Sequence, residues 1–122
     1  MANKKGPIQI LVKDRPPVKT AVYDRNNLQR RKKLLEETTR VAKETKRAFE
    51  LYGKRVKMTI SYRRSEGKHD AANIVGGIAD AMQGPYYQDD NQIAEIHYIE
   101  QPVKKVKKKD EYEVILEDAN QQ

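Results

Sequence analysis

The sequence has no cysteine and no hydrophobic run long enough to cross a membrane. Without cysteine the chain cannot form disulfides or thiolate metal sites, so oxygen or imidazole ligands must hold any metal ion. Residues 1–6 carry two lysines, but no apolar stretch of the kind found in a signal peptide follows them. These absences predict a cytoplasmic protein that makes no contact with a membrane.

Lysine and arginine are absent from Asp70 to Glu100, although the net charge of the chain is +7. Residues 1–68 carry 20 Lys and Arg against 7 Asp and Glu, whereas residues 69–122 carry 5 against 11. A basic body with one acidic zone suits a protein that attracts phosphate generally and recruits Mg²⁺ locally. From composition alone, solvated surface charge explains the pattern equally well.

The length of 122 residues predicts one domain, 1–122, with one modest core and frayed ends at 1–6 and 119–122. A core of this size is marginal, which makes a dimer an expectation for the chain. Alternating apolar and polar residues predict four strands, at residues 7–13, 56–63, 93–99 and 112–116.

Helical periodicity predicts two helices. The first begins at a cap formed by Asn26 or Asn27 and ends near Tyr52, and the second runs from Ala71 to about Met82. A lysine-rich hairpin is expected to join the last two strands. The predicted fold is a single α/β (α+β) domain in the order β-α-β-α-β-β, with two helices packed on a four-stranded mixed sheet.

Several carboxylates and amides fall near the ends of the second helix and the start of the third strand. Asp70 lies at the start of that helix, Asn73 and Asp80 share one helical face, and Asp89-Asp90 precedes the strand. Converging carboxylates can bind Mg²⁺, which neutralises a phosphoryl group and activates water. Asp70 could instead only cap the helix, Asp89-Asp90 could form an acidic turn, and Asp80 could be a surface residue.

The combined pattern is Asp70-x-x-Asn73, then Asp80-Ala81-Met82-x-Gly84, then Tyr87-x-Asp89-Asp90-x-Gln92-Ile93. This pattern resembles the RusA family of crossover-junction endodeoxyribonucleases, known from bacteria, prophages and phages, which resolve four-way (Holliday) DNA junctions by paired nicks. The family pattern reads Asp-x-Asp-Asn with a lysine three residues on, then Asp-Ala-Leu, then Asp-Asp-x-Gln. The resemblance is specific from Asp70 to Ile93, and the order of elements matches over most of the chain.

The resemblance implies that Asp70 and Asp90 are catalytic metal ligands for Mg²⁺, with Mn²⁺ as a substitute. Asp89 then supports them as a ligand or a neighbouring group, and Asn73 and Asp80 orient the site. The chain departs from the family at Ala72, where an aspartate is expected, and at Gly76, where a lysine is expected. The open replacements for the lost carboxylate are Glu66, Asp89 or a metal-bound water.

The resemblance implies a Mg²⁺-dependent endonuclease acting on four-way DNA junctions in recombination and repair. Because such a junction has approximate two-fold symmetry, a homodimer with one site per subunit is expected. The alternative that Ala72 and Gly76 favour is a non-catalytic nucleic-acid-binding domain, and a zone that docks a partner protein is a weaker third.

Basic residues near the acidic zone are expected to contact phosphates and to position DNA without reading its sequence. These residues are Arg63, Arg64, Lys68, Lys104, Lys105, Lys107, Lys108 and Lys109. His69 is either a general base or phosphate contact, or a loop histidine with neither role. Tyr86 and Tyr87 could stack on bases, but core packing of at least one of them is the favoured interpretation.

Overall fold

The structure is a computed structural model that describes residues 6–20, 23–65, 69–102 and 109–120. Six residues named above lie outside these ranges: Glu66, Lys68, Lys104, Lys105, Lys107 and Lys108. The elements are β1 (Ile8–Val12), α1 (Arg25–Glu44), β2 (Val56–Arg64), α2 (Ala71–Ala81), β3 (Ile93–Pro102) and β4 (Glu111–Asp118). The predicted α/β (α+β) class and the order β-α-β-α-β-β are confirmed.

The four strands form one mixed sheet in the order β1-β4-β2-β3. Strands β2 and β3 are parallel and are joined through α2, whereas β4 is antiparallel to both β1 and β2. The expected hairpin between β3 and β4 is wrong, because these strands lie on opposite sides of β2. The alternating patterns predicted for β1, β2 and β4 agree with the burial of their residues, but alternation does not encode which strands are neighbours.

The core lies between one face of the sheet and the two helices. Alternate residues of β1, β2 and β4 point into it, and these strands show the strict in-out burial expected of a sheet covered on one side. The opposite face carries partly buried and exposed residues, including Leu11 on β1 and Ile99 on β3. No helix in the described ranges has the length and hydrophobicity needed to span a membrane.

Helix α1 is shorter than the sequence predicted. It begins after Asp24, whose carboxylate accepts hydrogen bonds from Asn26 N and Asn27 N at 2.8 and 3.2 Å, so the predicted Asn26 or Asn27 cap is wrong. It ends at Glu44 rather than near Tyr52. The main chain beyond that point instead donates from Phe49 N to Pro85 O at 2.7 Å, which an uninterrupted helix could not do.

The buried face of α1 differs in part from the apolar repeat of the sequence, in which Leu28, Leu35, Ala42 and Phe49 lie seven residues apart. Leu28, Leu35 and Phe49 are substantially exposed, at 49%, 39% and 61%. The buried positions include Asn27 and Thr38, whose side chains have internal partners: Asn27 holds Val18 N and Val18 O at 2.8 and 2.9 Å. The loop between β1 and α1 is therefore fixed to the helix by a buried amide.

Helix α2 matches its prediction closely. Asp70 caps it, Ile74 and Ile78 are buried, and it ends at Ala81 before Gly84, whose φ of +119° favours glycine. Tyr86 and Tyr87 are both fully buried, so core packing is confirmed for both rings.

Gly77 lets α2 approach the loop that precedes α1. A Cβ at Gly77 would lie 2.4 Å from Pro17 O and 2.6 Å from Val18 Cα, so only glycine fits beside this backbone. This contact brings the next residue of the loop, Lys19, onto the surface of α2.

Candidate functional site

The acidic pair Asp89-Asp90 lies in a rigid turn at the start of β3. Asp89 caps a short 3-10 turn, Asp90–Gln92, by accepting a hydrogen bond from Asn91 N at 2.9 Å. The Gln92 side chain accepts from Gln88 N and Asp89 N and donates to the carbonyls of Leu51 and Lys54, both at 2.9 Å. The turn is thus tied to the segment that precedes β2, and its main chain has little freedom.

Asp80, near the end of α2, is connected to this turn through Gln83. Gln83 Nε2 donates to Asp80 Oδ1 at 3.0 Å, and Gln83 Oε1 accepts from Asp90 N at 2.9 Å. The other oxygen of Asp80 forms an ion pair with Arg31 of α1 at 2.6 Å. The structure therefore brings Asp80, Asp89 and Asp90 into one region beside the C-terminal end of α2.

The charges in this region interact. Burial, a hydrogen bond to the Asp89 carboxyl and the negative charges of Asp89 and Asp80 raise the pKa of Asp90 above the usual aspartate value, and the charge of Lys19 opposes this rise. Like charges held at close range favour the binding of a proton or a cation. We refer to Asp80, Asp89 and Asp90 as the acidic centre.

Asp70 lies at the other end of α2. Its carboxylate accepts from Asn73 N at 2.8 Å and caps the helix. At 1.5 Å of rise per residue, Asp70 lies roughly 15 Å along the axis from Asp80. Within the described residues, no three or more carboxylate and imidazole side chains are grouped closely enough to hold a metal ion.

Asn73 joins the start of α2 to the loop before α1. Its Oδ1 accepts from Lys19 N and Thr20 N, both at 3.0 Å, and its Nδ2 donates to Thr20 Oγ1 at 2.9 Å. His69 Nδ1 lies 3.2 Å from the same Nδ2. Asn73 thus binds the loop before α1, whereas Asp80 contacts Arg31 and Gln83.

The acidic centre is not devoid of cations, although its own segment of sequence contains none. Arg31 pairs with Asp80, and the side chain of Lys19 crosses Gly76, where a Cβ would lie 2.9 Å from Lys19 Cδ. Neither residue was predicted from the sequence, because both lie about 50 or more positions away from the carboxylates that they approach. No local pattern signals such a contact.

Three of the basic residues predicted to contact phosphates lie in the described ranges: Arg63, Arg64 and Lys109. Arg63 and Arg64 form ion pairs with Glu111 and Glu100 at 3.1 and 3.3 Å. Lys109 lines a cleft of about 530 Å³ that it shares with Lys13, Asp14, Arg15, Arg30, Asp110 and Glu111.

A second cleft of about 520 Å³ adjoins the acidic centre and is lined by Gly53, Lys54, Arg55, Gln88, Asp89, Asn91 and Gln92.

The second cleft places positive charge beside carboxylates. Lys54 and Arg55 were not among the predicted contacts, although a basic pair directly after the turn at Gly53 is a visible signal in the sequence. Exposed cations attract a phosphate backbone, and oxygen ligands next to them attract a divalent cation. This combination is typical of proteins that bind and hydrolyse phosphodiesters.

Comparison with known proteins agrees with this chemistry. A family model described as endodeoxyribonuclease RusA matches residues 5–117. The chain therefore belongs to the RusA endodeoxyribonuclease family. Membership implies a nuclease that hydrolyses DNA, and for the family as a whole it implies the resolution of Holliday junctions. Nucleases of this family are generally dependent on divalent metal ions. No curated protein sequence matches the chain.

Proposed function

We propose that this protein is a Mg²⁺-dependent endodeoxyribonuclease that resolves four-way DNA junctions by paired phosphodiester hydrolysis in recombination and repair. The observation that carries the proposal is the acidic centre, in which Asp80, Asp89 and Asp90 interact beside a cleft lined by Lys54 and Arg55. Cations along the cleft attract the DNA backbone, and the carboxylates suit a divalent ion. Mn²⁺ has the same ligand preference and would substitute for Mg²⁺.

The residues of the acidic centre fit a magnesium ion. Mg²⁺ is commonly held by one or two carboxylates, with waters and substrate phosphates completing its ligands, so a dedicated cage of three or more is not required. Asp90 and Asp89 would hold the ion, and Asp80 would stay with Arg31 and Gln83 as an orienting group. When bound, the ion supplies the charge that activates water and offsets the charge on the phosphoryl group.

We include Asp70 as a third proposed ligand. Its carboxylate caps α2 through Oδ1 at the opposite end of the helix from the acidic centre, so an ion that Asp70 held would be separate from the ion held by Asp89 and Asp90. The role of Asp70 as a ligand is separable from its role as a cap, because asparagine caps a helix as well as aspartate does but carries no charge.

We also propose that the enzyme acts as a homodimer. A four-way junction offers two strands for nicking around a two-fold axis, which two sites in a C₂ dimer match. Strand β3 is an edge of the sheet and carries two half-exposed apolar residues, Ile96 and Ile99. An edge strand with exposed apolar side chains is suited to pairing with a second copy.

One experiment tests the activity and the site. Purified protein is incubated with end-labelled immobile junctions in Mg²⁺, Mn²⁺ or EDTA, alongside Asp90→Asn, Asp70→Asn and the control Glu113→Gln, which removes one negative charge from the open face of the sheet. We expect paired symmetric nicks that need metal, that are lost in Asp90→Asn and Asp70→Asn and that persist in the control. An active Asp70→Asn variant would assign Asp70 to capping alone, and an active Asp90→Asn variant would refute the proposed metal site.

A second candidate function is a non-catalytic DNA-binding domain. The observations that favour it are Ala72 and Gly76, where the family pattern has an aspartate and a lysine, and the lack of a three-ligand group among the described residues. Tight, salt-sensitive junction binding without nicks in either metal would establish this alternative. Binding that is as strong to duplex DNA as to a junction would exclude selectivity for branched DNA.

A further inference from the structure

The loop between β1 and α1 delivers a lysine to the middle of α2. Asn27 fixes Val18 from one side, and Asn73 fixes the main chain of Lys19 and Thr20 from the other. These hydrogen bonds join buried or partly buried amides to backbone groups, so the start of the Lys19 side chain is held in place. Lys19 is therefore better positioned than a lysine at the tip of an unsupported loop.

The Lys19 side chain then runs across Gly76. An ideal Cβ at Gly76 would lie 2.9, 3.4 and 3.7 Å from Lys19 Cδ, Cβ and Cγ. The aliphatic part of Lys19 thus fills the space that a side chain at position 76 would occupy. Glycine within a helix lowers stability by roughly 0.5–1 kcal/mol relative to alanine. Here it leaves the space in which the Lys19 side chain lies.

The Lys19 side chain runs along α2 from Asn73 past Gly76, toward the end of the helix that bears the acidic centre. Asn73, Gly76 and Asp80 follow one another along one side of α2, and Asp90 is linked to Asp80 through Gln83. Lys19 is also exposed, so its ammonium group is accessible to a ligand that approaches the centre.

We propose that Lys19, reaching across Gly76, is the cation of the acidic centre that contacts the phosphate group undergoing hydrolysis. This assignment rests on the proposed function for its catalytic meaning. A lysine ammonium is a compact charge with three donors, and beside a phosphoryl oxygen it stabilises the negative charge that develops in the transition state. The acidic centre would then hold the metal ion on one side of the phosphate and Lys19 would donate from the other.

The test compares Lys19→Ala with a variant that returns the charge from α2, Lys19→Ala/Gly76→Lys. Loss of Lys19 Cγ and Cδ vacates the space beside Gly76, so the new side chain has room, and lysine is a better helix former than glycine. In single-turnover cleavage of a junction, we expect Lys19→Ala to be slower by about 100-fold. We expect the double variant to cleave at least about tenfold faster than Lys19→Ala. A purely structural role of Lys19 would not allow this recovery.

The matched control is Lys57→Ala, which removes a lysine from the open face of the sheet, opposite the helices. All variants are compared by thermal unfolding to show that they fold. If the wild-type protein cleaves and Lys19→Ala cleaves within twofold of it, the proposal for Lys19 is overturned while the nuclease function stands. A slow Lys19→Ala variant with no recovery in the double variant also overturns the direct contact.

A second measurement decides the proposal if the wild-type protein does not cleave. The dependence of junction affinity on salt reports how many phosphates are contacted, with a slope of about −0.9 per contact. We expect Lys19→Ala to reduce the magnitude of that slope by about 0.9 and Lys57→Ala to leave it unchanged. Without cleavage the nuclease proposal fails, and an unchanged slope in Lys19→Ala then overturns the phosphate contact as well.

Discussion

Single side chains with several hydrogen bonds each hold the acidic turn and the start of β4. Gln92 uses both lone pairs of Oε1 and both hydrogens of Nε2, and Asp110 accepts from Tyr62, Ser65 N and Ser65 Oγ while lying near Arg15. Replacing such a residue leaves its partners unpaired, and where a partner is buried, as Tyr62 is beside Asp110, this costs more than the net value of the bond itself.

Gln92 provides a prediction about positioning. The variant Gln92→Glu keeps the size of the side chain but places an oxygen against the carbonyls of Leu51 and Lys54, where Nε2 now donates. We expect a loss of about 1–3 kcal/mol in the free energy of unfolding and weaker Mn²⁺ binding by calorimetry, because Asp89 and Asp90 lose their fixed geometry. Gln29→Glu on the exposed face of α1 is the control, and equal effects of the two substitutions would refute the role of Gln92.

Asp110 gives a prediction about pH. Burial alone would raise its pKa, but the hydrogen bonds from Ser65 and Tyr62 and the charge of Arg15 outweigh burial, so the pKa lies below the usual aspartate value. A lowered native-state pKa contributes stability that is present above about pH 4, the unfolded value, and is lost as the pH falls through the native value. We expect Asp110→Asn to be less stable than wild type at neutral pH.

Urea unfolding at a series of pH values measures this effect. The difference between wild type and Asp110→Asn should shrink steadily once the pH drops below about 4. A difference that is constant from neutral to acidic pH would show that the charge of Asp110 does not stabilise the fold.

Within the secondary-structure elements, the two adjacent glycines of α2 have different functions. Gly77 faces rigid backbone at Pro17 and Val18, whereas Gly76 faces the flexible end of Lys19. Gly77 therefore determines how close the loop comes to α2, and Gly76 determines what lies across the helix surface.

The two glycines predict opposite effects of the same change. Gly77→Ala must push the loop backbone away, and overpacking of this kind costs about 1–3 kcal/mol. Gly76→Ala displaces only the outer carbons of the Lys19 side chain and gains helix propensity, so we expect unchanged or slightly higher stability, by up to about 1 kcal/mol. Thermal unfolding of the two variants side by side tests this, and similar stabilities would show that the loop is not in close contact with Gly77.

The bounds of strands and helices could be predicted from the sequence where apolar residues alternate or repeat strictly, as in β2 and α2. The helix predicted for α1 is too long because Ala48 and Phe49 continue its apolar spacing. The backbone there leaves the helical conformation, with Lys46 and Phe49 at φ of 57° and 65°. The segment is held instead by main-chain bonds to Pro85 and Tyr86, and these distant partners leave no local signal.

For the whole molecule, each of the two edge strands of the sheet carries an exposed apolar residue on the open face. Leu11 on β1 and Ile99 on β3 are both 49% exposed and both lie on the open face, at opposite edges. We expect Ile99→Asp to convert the proposed dimer to a monomer of 14.2 kDa, measured by light scattering, and to replace paired nicks with single nicks. Leu11→Asp is the matched control at the other edge, and dissociation in Leu11→Asp alone would place the interface on β1.

The site illustrates what tertiary structure adds to a local motif. Asp70, Asn73, Asp80, Asp89 and Asp90 are grouped in the sequence, and the acidic centre at the end of α2 follows from that grouping. Lys19 and Arg31 reach the centre only because Gly77 and Asn73 dock the loop before α1 and because α1 packs beside α2. The departure at Gly76 therefore gains an explanation that the sequence alone could not supply.

The central position of β4 has a consequence for the order of assembly during synthesis. Strand β1 pairs with β4 about 100 residues later in the chain, whereas β2, α2 and β3 form a continuous unit. Closing so long a loop is slow, so the unit that bears the acidic centre is complete before β1 finds its partner. The ribosome must therefore release β4 before β1 can pair, so the sheet that supports α1 and α2 is complete only when the chain has been made through Asp118.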